Sequence, residues 1–183
     1  MLNPRLGTLV ALIVMAAATR LLPHPPNLTS LTAVALFGGA CFSDRRLAFA
    51  VPFLALLASD LTLGLFYSWS SMAYQPHMWV QYFAFGLVVL LGMSLKGKSS
   101  ALGIGGTTLA ASCLFFAVTN FGEWVFQPWY PKTAQGLIDA YVAAIPFFRN
   151  AVIGDLAYAT LLFGGFHLLE RNFVALRAEP KAA

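Results

Sequence analysis

Apolar runs long enough to cross a membrane recur along this chain, and no other feature constrains it as tightly. "GTLVALIVMAAATRLL", "LAFAVPFLALLASDLTLGLF" and "TTLAASCLFFAVTNFG" are nearly uninterrupted. A bilayer core about 30 Å thick asks for about 20 predominantly apolar residues in a helix. Hydrocarbon leaves a spanning backbone two solutions, the helix and the closed barrel. Barrel strands alternate apolar and polar positions, and these runs do not. Composition agrees: 59% of residues are hydrophobic and 10% charged, where soluble domains carry about 25% charged residues. The expected fold is therefore all-α, a single integral membrane domain over residues 1–183.

Six transmembrane helices are predicted, at about 6–22, 29–42, 47–67, 78–95, 101–122 and 148–170. The second is short for a bilayer, so either its end lies inside the bundle or the helix is longer than drawn. "QPWYPKTAQGLIDAYVAAIP" is too polar to span and reads as a loop with a short amphipathic helix from about Thr133 to Ala144. The N-terminal run also admits a signal-peptide reading, which would leave five spans. Its continuation past the small residues to Arg20 favours a retained first span.

Basic residues concentrate in cytoplasmic loops. Six spans put Arg5, Arg45, Arg46, Lys96, Lys98, Arg171, Arg177 and Lys181 on one face, and Arg20, Lys132 and Arg149 on the other. Both termini are thus expected in the cytoplasm. The +4 net charge is a topology signal; no basic stripe with interleaved aromatics marks a nucleic-acid partner.

Ionisable residues that hydrocarbon should exclude gather toward the outer ends of the spans. They are His24 in "LPHPPN", Asp60, His77, Glu123, Arg149 and Asp155. A charge at the bilayer centre costs about 2.5–3.5 kcal/mol on insertion scales, so such residues normally face a bundle interior or a watery cavity. Contributions from several helices, above apolar inner halves, point to a pocket open outward. Each residue also has a plainer reading. His24 fits an interfacial position; Asp60 either lines a site or pairs with Arg149; Asp155 serves as a helix–helix tie; Glu123 sits at the membrane edge. Tyr67, Trp69, Trp79, Trp129 and Tyr130 match an aromatic belt, and Asn120 and Asn150 suit interhelical hydrogen bonds.

Enzyme signatures are missing: there is no G-x-S-x-G, H-E-x-x-H or G-x-x-x-x-G-K-[ST]. Cys41 and Cys113 lack metal or redox spacing and read as packing residues. The chain has no ATPase of its own, so active transport would require an energising module; otherwise it works alone.

"RLLPHPPNLTSLTAVALFGGA", "SDLTLG", "TNFGEW" and "YVAAIPFFRNAVIGDLAY" carry a resemblance over most of the chain. The sequence resembles the substrate-binding S-components of energy-coupling-factor transporters, and within them the solitary BtuM-type cobalamin transporters. The resemblance implies a vitamin-type uptake protein of a bacterial inner membrane, with cobalamin or a related corrinoid as the preferred ligand. It implies ligand contacts at His24, Asp60 and Arg149, to which the outer-half reading adds Glu123. It also exposes a departure. The BtuM type is expected to bring a cysteine to the cobalt, yet Ser59 to Phe85 contains none. His77 or Tyr74 stands in that place, and a neutral imidazole is a competent cobalt ligand. A second function class stays open: a membrane assembly or sensor protein whose outer residues bind a partner.

Overall fold

The structure, a computed structural model, describes residues 3–66, 77–97 and 100–177, with only the backbone given for His77. Tyr67, Trp69, Tyr74, Lys98, Lys181 and the His77 side chain lie outside the described residues. The chain is all-helical there, with six helices in sequence. They are α1 (Pro4–Ala18), α2 (Leu31–Cys41), α3 (Arg45–Phe66), α4 (His77–Met93), α5 (Ala101–Phe126) and α6, which begins as Ala134–Ala159. α6 continues through a π-helical stretch, Thr160–Gly164, into Gly165–Asn172. Among the described residues, four segments are long and apolar enough to cross a membrane: Pro4–Leu21, Arg45–Phe66, Ala101–Phe126 and Ala134–Asn172. α2 and α4 are shorter and equally apolar. Large apolar side chains such as Met15, Leu54, Leu65, Leu102 and Leu161 are exposed along the long helices, as a membrane protein requires and a soluble one rarely tolerates.

Caps follow the sequence. Asn3 accepts from the Arg5 and Leu6 amides with Pro4 at the first helical position; Ser100 and Thr133 accept from Gly103 and Gly136. Each satisfies an amide the helix cannot pair itself.

α2 is the hub. Its eleven residues reach about 16 Å, too short to span, and Thr32 through Gly39 are all buried. A helix apolar all round belongs in a core. "FGG" sets the packing distance. A Cβ on Gly39 would run into Val89 O of α4, one on Gly92 of α4 into Leu36 O, and one on Gly38 into the Pro52 ring of α3. Bare backbone is what lets these helices touch. Phe37 then packs edge-on against Phe163 and Phe166 of α6, at 5.2 and 5.8 Å.

One expectation is corrected. The loop and separate amphipathic helix predicted between the fifth and sixth spans are a single helix with the sixth, because α6 runs unbroken through Pro146. Proline removes one backbone hydrogen bond, and neighbouring helices absorb such breaks in membrane bundles. Arg149 and Asp155 therefore lie inside α6 and not at its start.

At one end of the bundle the two chain ends meet. Arg5 pairs with Glu170, donates to Leu176 O at 2.6 Å, and lies 5.0 Å over the Phe166 ring. Arg177 caps the end of α6 by donating to the Glu170 and Arg171 carbonyls, both at 3.1 Å. Cys41 and Cys113 are free thiols.

Candidate functional site

The opposite end holds a cavity of about 330 Å³, built mainly by two antiparallel helix faces. α5 contributes the stripe Ser112, Phe115, Phe116, Thr119 and Glu123, with Asn120 beside it; α6 contributes the stripe Ala144, Phe147, Phe148, Ala151 and Asp155. Both sets follow i, i+3, i+4, i+7, i+11, one stripe of a helix. Each stripe therefore carries a carboxylate at one end and phenyl rings between. Phe116 and Phe148 close the wall, with ring centroids 4.5 Å apart. Arg20, Asn27, Thr29, Thr32 and Gln81 complete the polar side.

Asp155 forms the floor and is 2% exposed. Ser112 Oγ donates to its Oδ2 at 2.7 Å, and the Thr32 hydroxyl and Ala33 amide also donate to it. Thr32 and Ala33 belong to the first turn of α2, whose N–H groups have no partner within the helix. The residue at the cap position, Ser30, donates its hydroxyl to Ala16 O of α1 at 2.7 Å instead. Asp155 thus caps α2 from another helix, and a carboxylate suits that positive helix end. The helix–helix tie read from sequence takes this form.

The segment before α2 is held by the same face of α6. Asn150 Nδ2 donates to Pro26 O at 3.0 Å, and the Thr29 backbone crosses directly over Gly154. Tyr158 donates to Thr19 Oγ1 at 2.8 Å. Positions 150, 154 and 158 are successive turns of one stripe. Asn27 takes a left-handed φ of 60°, which asparagine tolerates better than most residues. "PHPPN" thereby ends in a turn that brings Asn27 to the cavity lining.

Asp60 pairs with Arg20, not with Arg149: Arg20 Nη1 lies 2.8 Å from Asp60 Oδ1. Arg20 Nη1 also donates to Ser59 Oγ, and Tyr82 donates to Asp60 Oδ2 at 2.8 Å. Both contacts of Arg20 use Nη1, so among the described residues Nε and Nη2 carry no commitment. Arg20 lines the cavity; Asp60 and Ser59 hold its guanidinium, and Tyr82 holds Asp60.

Of the residues singled out by sequence, Asn120, Glu123 and Asp155 line the cavity, and Asp60 acts through Arg20. His24 is exposed, its Nδ1 3.0 Å from Pro25 O, and Arg149 is exposed on α6; neither lines the cavity. The sequence marks Arg20 as an outer basic residue, and its place between an apolar run and "PHPP" is the signal for its role at the cavity. Ser112 and the phenyl stripes carried no signal beyond helical spacing. Trp79 and Trp129 are exposed. Among the described residues no cluster of three metal-ligating side chains occurs.

Residues 1–178 match DUF6580, a family of unknown function. No curated protein and no solved structure matches the chain.

Proposed function

We propose that this chain, which belongs to the DUF6580 family of unknown function, is a substrate-binding uptake protein for a vitamin-type solute. Its six helices lie in a bacterial inner membrane with both termini cytoplasmic. The observation that carries the reading is the cavity between α5 and α6. Its volume of about 330 Å³ falls at the lower bound of small-molecule sites, about 300–1,000 Å³. Phenyl walls with a few convergent polar groups are the usual make-up of such sites. A guanidinium held by Asp60 and Ser59, with Asp60 fixed in turn by Tyr82, is preorganised, so little ordering opposes binding.

The cavity mouth lies at the end of the bundle away from the Arg5–Glu170 contact. With basic residues such as Arg5, Arg45, Arg46, Lys96 and Arg171 facing the cytoplasm, the mouth opens outward. Glu123 and Arg20 contact the solute, and Asp60 positions Arg20. A corrinoid is larger than this cavity, so on the cobalamin reading only part of the ligand enters and the rest covers the mouth. There His24 and Arg149 contact its periphery, and His77 or Tyr74 approaches the cobalt.

The test is solute binding by the purified protein, with cyanocobalamin as first probe and smaller ring-bearing vitamins next. Ala151→Trp fills the cavity while leaving its polar residues unsubstituted and should abolish binding; His77→Ala should alter only the visible spectrum of a bound corrinoid. Binding that survives Ala151→Trp puts the site elsewhere. A protein that co-purifies while no solute binds turns the reading to an assembly or sensor role.

A further inference from the structure

Ser112 has one hydroxyl proton and two acceptors in reach. Its Oγ lies 2.7 Å from Asp155 Oδ2 and 3.0 Å from Thr108 O, one turn back on α5. A hydroxyl offers one donor and two lone pairs, and a carboxyl group is acceptor-only when ionised but gains a donor when protonated. Two complete arrangements follow from the same heavy-atom positions. With Asp155 ionised, Ser112 donates to the carboxylate. With Asp155 protonated, the carboxyl O–H donates to Ser112 Oγ, and Ser112 turns its own proton to Thr108 O. Thr32 and Ala33 keep donating to the remaining lone pairs in both cases. Neither state leaves a buried polar atom unpaired, the usual obstacle to changing a buried charge.

The carboxyl group also has a path to water. It lines the cavity floor, although the residue is only 2% exposed. The charged groups around it leave its state open. From α1's end, Arg20 lines the same cavity, its charge matched by Asp60 of α3 at 2.8 Å, with Tyr82 of α4 bound to that same carboxylate. From α5, Glu123 sits at the far end of the stripe, about three turns from Ser112. α2 brings only Thr32 and Ala33 to the carboxyl, plus the positive end of its dipole.

We propose that Asp155 is a proton-binding site at the floor of the cavity, loaded from cavity water and relayed through the Ser112 hydroxyl. The proton adds to a carboxylate oxygen and leaves by the same route; no other bond changes. Intramembrane carboxylates arranged this way mark proton pathways in pumps and transporters. On the uptake reading above, the charge that a solute meets at the cavity floor is set by this proton.

Infrared difference spectroscopy of the purified, lipid-reconstituted protein tests this without any solute, and so independently of the uptake reading. Between about pH 4 and pH 9, a carboxyl C=O band should appear on acidification, shift in D₂O, and be missing in Asp155→Asn. Asparagine can still accept from Ala33 and donate to Ser112, so the fold is kept. Ser112→Ala retains the carboxyl group but takes a donor from its charged form. It should raise the proton affinity about tenfold, since hydrogen bonds to charged groups are the stronger class. Ala151→Trp, which plugs the cavity, should slow the deuterium shift. If no titrating band disappears with Asp155→Asn, or if Ser112→Ala leaves the midpoint in place, the proposal is wrong.

Discussion

Arg20 and Asp60 meet at 2.8 Å with side chains only 9% and 11% exposed, so the end of α1 is tied to α3 by an ion pair largely removed from solvent. Breaking such a pair leaves the survivor buried and uncompensated, at a cost of about 3–5 kcal/mol. Asp60→Ala and Arg20→Ala should each destabilise the protein on that scale. The double variant should cost clearly less than the two together, because it strands no charge. Unfolding in detergent across the four proteins measures the coupling. Additive losses would show that the two side chains act separately.

Gly39→Ala should be among the most damaging single-methyl changes in the chain. The added carbon would meet Val89 O, a backbone atom that cannot swing aside, and overpacking of this kind costs about 1–3 kcal/mol. Gly105→Ala is the control: a Cβ there meets nothing within 4 Å, and alanine is the better helix former by about 1 kcal/mol. Thermal unfolding should therefore move down for the first and stay level or rise for the second. Equal shifts would remove the close α2–α4 approach as the cause.

The helices themselves were legible from sequence because apolar length is a local property. Spans placed at about 47–67 and 101–122 correspond to Arg45–Phe66 and Ala101–Phe126, and the shortness of the second span was already visible in "TSLTAVALFGGACF". The N-terminal half of α6 was misread for an equally local reason. Polar residues and Pro146 lower its hydropathy, yet contact with α5 through Phe116–Tyr141 and Tyr141–Ala117 keeps it helical. Partner choice was not legible. Asp60 needs a cation, and its sign alone does not distinguish Arg20 from Arg149. Asp155 reaches α2 only after the whole bundle has assembled, so no spacing in the chain announces the cap.

Topology offers the third prediction. Arg5 and Glu170 touch, which places the beginning of α1 and the end of α6 at one end of the bundle. A reporter fused after Ala183 should signal cytoplasm, and one inserted near position 75 should signal the periplasm. The reverse pattern would turn the cavity mouth inward and end the uptake reading in its present form.

The cap on α2 also orders events in time. α2 leaves the ribosome long before Asp155 is made, and until α6 arrives its first-turn amides have no carboxylate to meet. In hydrocarbon each such unpaired group costs several kcal/mol. Until α6 packs, that helix end depends on water at the cavity for its hydrogen-bond partners. Asp155 closes the cap on α2 only once α6 has packed, so this contact belongs to the late stages of bundle assembly.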